Sequence, residues 1–290
     1  MEIDGKKFDI LFGDCIDHMK EIEDSSIDII ITSPPYADRR KNTYGGIATN
    51  NYCNWFIPIA TEMFRILKDD GSLFINLKPH CDNGERVFYV WELVMKIRNE
   101  VGFRFVDEYC WERNGVPGKF KGRFKNAFEP VYHFAKQKDF TFNPYSVAHE
   151  MSEDSLKRAK RKACGESKNG SGFAGMRKNS TMLDKKLALP SNVLKFTQKS
   201  NQYTKKSNHP AVFPCELPEF FIKAFSNEGD IVYDPFCGSA STGIAALKNG
   251  RRFIGSEIKE EYVKLSNEII NDFLKKLKIK YWQTVLNVLQ

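Results

Sequence analysis

The sequence predicts an α/β fold, in which helices wind over both faces of a mostly parallel sheet. Short runs of apolar, often β-branched residues alternate along the chain with segments whose apolar residues recur every three to four positions. The alternation fails between residues 137 and 207, which are rich in Lys, Ser, Asn and Gly. We therefore predict one doubly wound domain over residues 1–136 and 208–290, interrupted by an irregular basic insertion over 137–207.

Each strand is predicted from an apolar run and each helix from an apolar stripe at helical spacing. The predicted strands are 8–12, 27–31, 72–77, 103–111, 130–134, 230–233 and 253–256. The predicted helices are one that follows Gly13-Asp14 and ends near 22, then 55–67, 85–99, 217–225, 241–248 and 259–276. Turn signals support several boundaries, among them Asp69-Asp70-Gly71 before the third strand and Asn249-Gly250 before the last one.

Composition limits the classes of protein to which the chain can belong. With 290 residues, 41% of them hydrophobic, it can bury one large core. No apolar run approaches the roughly 18 residues of a membrane span, and the acidic start Met-Glu-Ile-Asp-Gly is not typical of a signal peptide. The seven cysteines form no Cys-x-x-Cys pair, which argues against a disulfide framework and a zinc site. We expect a cytoplasmic protein without a membrane partner or a metal.

The positive charge is concentrated in one segment. The whole chain has a net charge of +7, yet residues 151–210 alone carry 14 Lys and Arg against 4 Asp and Glu. Such segregation is expected of a protein that meets a phosphate backbone with one lobe. The candidate DNA-binding residues are Lys157, Arg158, Lys160, Arg161 and Lys162.

The first candidate site follows the strand 27–31, where the chain reads Thr-Ser33-Pro34-Pro35-Tyr36. Two prolines cannot extend the hydrogen-bond ladder of a strand, so they predict a stiff loop at its carboxyl end. The loop offers the hydroxyl of Ser33 and the carbonyl of Pro34 as acceptors, beside the aromatic face of Tyr36. These groups suit a planar ring with an exocyclic amine, such as an extruded cytosine or adenine.

The second candidate site is the small-residue turn of residues 234–242, which lies between a predicted strand and a predicted helix. Such a turn lets backbone amides and a helix N-terminus approach a ligand closely. The next strand ends at Glu257, a place suited to hydrogen-bonding a ribose diol. The Gly-x-Gly-x-x-Gly pattern is absent, so a dehydrogenase is poorly supported.

In these segments the chain resembles the S-adenosylmethionine-dependent amino-methyltransferases of DNA, in the permuted (beta-type) order with the catalytic loop before the cofactor loop. The matching segments are Ser33–Tyr36, Phe74–Lys78, Trp111–Asn114, Arg123-Phe124, Phe128–Pro130, His209–Pro214 and Asp234–Thr242. The resemblance implies a Rossmann-like methyltransferase fold. The form Ser-Pro-Pro-Tyr is similar to the N4-cytosine branch of that family. Ala240 departs from the family, which more often has glycine there.

The resemblance also implies roles for individual residues. Ser33, Pro34, Pro35 and Tyr36 would form the catalytic loop. Asp14 would accept a hydrogen bond from the cofactor's adenine, although it also suits a helix cap after Gly13. Glu257 would bind the ribose. The residues expected around the methionine portion are Asp234, Phe236, Gly238, Ser239, Ser241 and Thr242.

The implied function is methyl transfer to the N4 amine of cytosine in double-stranded DNA, with the target base extruded, in a bacterial restriction-modification system. The insertion would recognise the target sequence, and a restriction endonuclease acting on the same site is an expected partner. Two alternatives stay open: an N6-adenine methyltransferase and a non-catalytic nucleic-acid-binding protein. C5-cytosine methylation needs a cysteine nucleophile, but Cys215 opens an apolar-faced helix and is better interpreted as a packed residue.

Overall fold

In the computed structural model, the described residues are 7–38, 46–113, 122–157, 186–196 and 214–289, with side chains described as far as residue 279. The chain divides into two compact units. One comprises Met1–Phe142 with Asn192–Gln290, and the other comprises Asn143–Ser191. No helix within the described ranges is long and apolar enough to cross a membrane.

The strands and helices follow one another in close agreement with the alternation in the sequence. The strands are β1 (Phe8–Phe12), β2 (Ile27–Thr32), β3 (Leu67–Asn76), β4 (Cys81–Asp82), β5 (Glu85–Arg86), β6 (Arg104–Glu112), β7 (Phe128–Ala135), β8 (His149–Glu150), β9 (Leu187–Ala188), β10 (Val193–Lys195), β11 (Ile231–Asp234) and β12 (Arg252–Glu257). The α-helices are α1 (Cys15–Glu21), α2 (Tyr52–Ile66), α3 (Tyr89–Lys96), α4 (Glu216–Phe225), α5 (Ser241–Lys248) and α6 (Glu260–Leu289).

The first unit is built on an eight-stranded sheet in the order β1-β12-β11-β2-β3-β7-β6-β10. Every neighbouring pair is parallel except the two that involve β7, which runs antiparallel to both β3 and β6. The predicted mostly parallel α/β fold is therefore confirmed. The carboxyl ends of β1, β2, β3, β6, β11 and β12 meet at one edge, together with the start of β7.

Helices cover both faces of this sheet, as the alternation of side chains along β3 shows. Leu73 and Ile75 point to the face where α1, α2 and α3 pack. Phe74 points to the other face, where its ring stacks on Phe221 of α4 with centroids 4.3 Å apart. The sheet is thus the middle layer of a three-layer core.

One helix begins later than the sequence predicts. The helix expected over 85–99 begins at Tyr89, because β4 and β5 form a hairpin closed by Asn83 and Gly84. Both turn residues have positive φ, 44° and 84°, which an Asn-Gly pair adopts readily in a two-residue hairpin. A π-helical turn over Ile97–Val101 then extends the helix.

Within the predicted insertion, 137–207, the described residues 137–157 and 186–196 are divided between the two units. Its residues Val193–Lys195 are β10, which pairs in parallel with β6 and so belongs to the central sheet. The described part of the second unit contains a 3-10 helix, Pro144–Val147, and the two-stranded sheet of β8 and β9. A recognition role for 137–207 stays a prediction.

Candidate active site

The candidate site is a cavity of about 800 Å³ at the carboxyl edge of the sheet. β2 and β11 are neighbours there, but the chain continues from β2 to β3 on one side and from β11 to β12 on the other. Ligands of open α/β sheets bind at such a switch point. Both candidate loops of the sequence, the one after β2 and the one after β11, contribute to the cavity wall.

The loop after β2 is held by its neighbours on the sheet. β2 and β3 are parallel with Thr32 opposite Ile75, so Ser33 and Asn76 come side by side. The Ser33 hydroxyl lies 3.5 Å from Asn76 Oδ1, and Asn76 Nδ2 donates to the Pro130 carbonyl at 3.0 Å. Tyr52 of α2 donates its hydroxyl to the Pro35 carbonyl at 2.7 Å. The catalytic-loop candidates are therefore fixed from both sides.

A buried carboxylate, Glu129 at the start of β7, is the centre of a polar network in this half of the cavity. Glu129 Oε1 accepts from Lys78 Nζ at 2.9 Å and from Arg113 Nη1 at 2.7 Å, while Oε2 accepts from the Tyr36 hydroxyl at 3.1 Å. Burial and the nearby Glu129 charge raise the pKa of Tyr36 well above its ordinary value, so Tyr36 stays a donor. The guanidinium of Arg113 also lies 4.6 Å from the ring centroid of Trp111.

The other half of the cavity is organised by backbone amides. Glu257, at the end of β12, accepts from the Gly238 amide at 3.1 Å with Oε2 and from the Lys259 amide at 2.9 Å with Oε1. Burial raises the pKa of this carboxyl group. Each oxygen keeps acceptor capacity for a further donor, because an ionised carboxylate offers about four lone-pair sites.

Asp14 follows β1 and caps α1, with Oδ1 accepting from the Ile16 amide at 2.8 Å. Its neighbour Gly13 has a φ of 138° and donates its amide to the Glu257 carbonyl at 3.0 Å. The capping role that the sequence suggested for Asp14 is thus present, and the residue also lines the cavity. Asp14 and Glu257 bring two carboxylates to one side of the site.

Asp234, at the end of β11, is buried. It is 1% exposed, and its carboxylate accepts from Thr32 Oγ1 at 2.7 Å, from Thr242 Oγ1 at 2.7 Å and from the Phe236 amide at 3.1 Å. Burial raises its pKa to about 6. Neither Asp234 nor Thr242 is among the described residues that line the cavity. Their contacts tie β2, β11 and α5 together beneath it.

The turn between β11 and α5 depends on left-handed backbone. Gly238 has a φ of 50° and Ala240 a φ of 58°, a conformation that costs free energy for any residue with a Cβ. The turn brings Ser241 to the first position of α5, where its buried hydroxyl has no hydrogen-bond partner in the described part of the chain. Phe236 lies against Trp55, with ring centroids 5.8 Å apart.

The structure brings most of the sequence-predicted site residues to this one cavity. Those that line it are Asp14, Ser33, Pro34, Pro35, Tyr36, Phe236, Gly238, Ser239, Ser241 and Glu257. Of the predicted DNA-binding residues, Lys157 is exposed in the second unit, whereas Arg158, Lys160, Arg161 and Lys162 lie outside the described residues. Cys215 precedes α4 and is not among the described lining residues.

Sequence reasoning assigned no site role to Asn76, Lys78, Trp111, Arg113 or Glu129, all of which line the cavity. A signal for them was present, because each belongs to one of the segments that carry the family resemblance. Each also lies at or just beyond the edge of the sheet where the carboxyl ends of the parallel strands meet. What the sequence does not show is that β7 is the antiparallel neighbour of both β3 and β6.

The α/β fold and a cavity at the switch point of the sheet are typical of enzymes that bind their ligands at that place. The N6/N4 family described as DNA methylase matches residues 27–268, most of the chain. The chain belongs to that DNA methylase family. It is 30% identical to the Type II methyltransferase M.PvuII of Proteus hauseri, over 88% of this chain and 81% of the relative. It is also 30% identical to the DNA adenine methyltransferase YhdJ of Escherichia coli K12, over 88% and 80% of the two chains.

Two solved structures resemble this chain over most of its length. PvuII DNA methyltransferase (cytosine-N4-specific) matches with a TM-score of 0.68 and 25% identity, over 94% of this chain and 93% of that chain. The putative DNA modification methylase TTHA0409 of Thermus thermophilus, solved in complex with S-adenosyl-L-methionine, matches with a TM-score of 0.57 and 19% identity, over 92% and 93% of the two chains. The second likeness shows the shared fold.

Proposed function

We propose that this DNA methyltransferase transfers a methyl group from S-adenosylmethionine to the N4 amine of cytosine. The observation that supports the proposal is that Ser33-Pro34-Pro35-Tyr36 lines the same cavity as Phe236, Gly238, Ser239 and Ser241 of the candidate cofactor loop. The likeness to a cytosine-N4-specific enzyme over nearly the whole chain supports the choice of base. The catalytic loop precedes the cofactor loop, so we also assign the permuted, beta-type motif order.

The part of the cavity that is lined by Asp14, Gly238, Ser241 and Glu257, here called the cofactor half, fits S-adenosylmethionine. The buried Ser241 hydroxyl at the N-terminus of α5 has no hydrogen-bond partner among the described residues, and it suits the carboxylate of the methionine portion. The Glu257 carboxylate is oriented by two amides and keeps lone pairs for the ribose hydroxyls. The Asp14 carboxylate would accept a hydrogen bond from the amino group of the adenine. The acidic pair also suits a cationic sulfonium. We assign Asp234 and Thr242 to the support of this half, through their contacts with each other and with Thr32.

The part of the cavity that is lined by Ser33, Pro34, Tyr36 and Glu129, here called the target half, has the acceptors that an aromatic amine needs. The N4 lone pair of cytosine is delocalised into the ring, so the amine is a weak nucleophile. The Ser33 hydroxyl and the Pro34 carbonyl would accept hydrogen bonds from the two N–H groups of the amine and favour a pyramidal nitrogen whose lone pair can attack the methyl carbon. The new N–C bond would replace the S–C bond of the cofactor, and the methylated nitrogen would then release one proton to water. The bound cofactor supplies an electrophilic methyl group. The contribution of the chain is to position and hydrogen-bond the amine, with no covalent enzyme intermediate.

The base must leave the duplex to reach this cavity, since its amine is inaccessible within the stack. Tyr36 supplies the aromatic face on which the extruded cytosine stacks. We assign target recognition to the segment 137–207, with Lys157, Arg158, Lys160, Arg161 and Lys162 neutralising phosphates. A restriction endonuclease that cuts the same site completes the proposed modification system, because several relatives are Type II methyltransferases.

Adenine N6 is the second candidate target. It is favoured by the 30% identity to an adenine methyltransferase, and it presents the same exocyclic amine chemistry. The two bases differ in ring size and in the acceptors beside the amine, so the shape of the target half decides between them.

Mass spectrometry of the product distinguishes the candidates. The purified protein is incubated with S-adenosylmethionine and mixed-sequence duplex DNA, and the DNA is digested to nucleosides. N4-methylcytosine is expected, and N6-methyladenine would overturn the choice of base. Cofactor binding without any methylated nucleoside would favour a nucleic-acid-binding protein that lacks turnover.

A further inference from the structure

Glu129 is a buried charged group in the target half that the transfer chemistry described above does not use. Its side chain is 8% exposed, and it is held by two cations, Lys78 and Arg113. Two cations and one carboxylate leave this wall of the cavity with a net positive charge. Besides the two ion pairs, the Glu129 carboxylate accepts a third hydrogen bond, from the hydroxyl of Tyr36. The carboxylate therefore contacts the candidate catalytic loop directly.

The hydroxyl of Tyr36 has a choice of two acceptors. Glu129 Oε2 lies 3.1 Å away and Asn76 Oδ1 lies 3.4 Å away. A tyrosine hydroxyl has one proton, and the nearer, charged oxygen is the stronger acceptor. Donation to Glu129 leaves Asn76 Oδ1 for the Ser33 hydroxyl, which lies 3.5 Å from it.

The geometry points to Glu129 as a positioning residue for methyl transfer, which fixes the ring of Tyr36 and, through Asn76, the hydroxyl of Ser33. This inference rests on the proposed function and deepens it. The carboxylate sets the plane on which the extruded base stacks, and it leaves the Ser33 lone pairs directed at the amine. Its charge also offsets Lys78 and Arg113, which would otherwise disfavour an amine that becomes positive as it is methylated.

A double-mutant cycle tests the inference. Glu129→Gln weakens the acceptor and leaves two cations without a full counter-charge, whereas Tyr36→Phe removes the same hydrogen bond and leaves the Glu129 ion pairs in place. We expect each variant to slow single-turnover methylation of mixed-sequence duplex DNA, Tyr36→Phe by about tenfold and Glu129→Gln by about 10- to 100-fold. If Glu129 acts through Tyr36, the double variant is no slower than Glu129→Gln alone, within about threefold.

Two further readouts separate positioning from a general loss of structure. The affinity for S-adenosylmethionine, measured by calorimetry, should stay at the wild-type value in both variants. Tyr109→Phe is the matched control, because Tyr109 packs on Phe221 and is not among the described lining residues. It should methylate DNA at the wild-type rate.

Additive losses in the cycle, a wild-type rate for Tyr36→Phe, or a loss of cofactor affinity in step with the rate would each overturn the positioning role. If Glu129→Gln does not fold, the rate of Tyr36→Phe decides the question alone. The wild-type protein is measured in the same assay, so failure of the proposed function is seen separately, as the absence of methylated nucleoside from every sample.

Discussion

The two halves of the cavity are built in different ways. In the cofactor half, buried carboxylates accept from backbone amides and hydroxyls, as Glu257 does from Gly238 and Lys259. In the target half, side chains bind side chains at the ends of four strands, β2, β3, β6 and β7, and Glu129 accepts hydrogen bonds from Tyr36, Lys78 and Arg113. Backbone amides are fixed by the fold itself, whereas a side-chain network depends on every member. We infer that the cofactor half is the more rigid and the target half the more sensitive to substitution.

The largest effect is expected in the target half. Ser33→Ala removes the hydroxyl that we propose as an acceptor for the amine, and we expect the loss of one such polar contact to the reacting group to lower the rate by about 10²–10³-fold. Single-turnover methylation measures the rate, and calorimetry should find unchanged cofactor affinity. Ser26→Ala, at a half-buried serine that lies outside the cavity lining and donates to the Glu23 carbonyl, is the control. A Ser33→Ala rate near that of the wild type would show that the Ser33 hydroxyl is not an acceptor for the amine.

Asp234 provides a test beneath the cofactor half, through the dependence of stability on pH. Its pKa is raised from 3.8 to about 6, so the folded state holds the proton more tightly than the unfolded chain does. The contribution of the Asp234 carboxyl group to the free energy of unfolding is therefore fully present below about pH 4, and it is lost as the pH rises through about 6. Asp234→Asn does not ionise, so its stability relative to the wild type should rise by up to about 3 kcal/mol between about pH 4 and pH 7.

Urea unfolding of both proteins across this pH range measures the difference. A stability difference that does not change with pH would show that Asp234 is ionised throughout, and that its three hydrogen bonds outweigh its burial.

Glu257→Gln tests the cofactor half itself. The glutamine amide keeps the size of the side chain but loses the charge. Its NH₂ group would also point a donor at one of the two backbone N–H groups that donate to Glu257. We expect the dissociation constant for S-adenosylmethionine to rise by about 10- to 100-fold. Glu268→Gln, at an exposed position of α6, should leave the constant unchanged. An unchanged constant for Glu257→Gln would place the ribose elsewhere.

The smallest effect concerns the turn between the halves. Ala240 adopts a φ of 58°, in which its Cβ is strained, and glycine adopts this conformation without that cost. Ala240→Gly should therefore raise the free energy of unfolding by about 0.5–1 kcal/mol, since the relief of strain exceeds the entropy that glycine loses. Thermal unfolding measures the change. A lower melting temperature would show that the buried methyl group contributes more by packing than it costs in strain.

Much of the fold could be predicted because local signals were strong. The buried run of β2 and the two prolines after it define both a strand and its end, and the alternation of elements predicts the parallel sheet. The late start of α3 was missed although Asn83-Gly84 signals a hairpin. The place of β10 in the sheet was missed because three residues are too short to show a period.

The sequence indicated the two loops of the candidate site, but it did not indicate the other residues that line the cavity, such as Glu129. Ser33–Tyr36 and the turn before α5 are contiguous motifs, so the sequence displays them directly. Glu129 reaches Tyr36 only because β7 lies antiparallel beside β3, a pairing between residues about sixty positions apart in sequence, from Asn76 with Val131 to Ser72 with Ala135. Asp234 belongs to a recognised motif, but its burial beneath the turn is decided by the tertiary contacts of Thr32 and Thr242.

The measurement that most directly tests the division between the halves is single-turnover methylation of DNA by Ser33→Ala and Glu257→Gln, both saturated with S-adenosylmethionine. We expect Glu257→Gln to recover to within about threefold of the wild-type rate, because its defect is in cofactor binding, whereas Ser33→Ala stays about 10²–10³-fold slower. A Glu257→Gln variant that remains slow at saturation, or a Ser33→Ala variant that recovers, would contradict it.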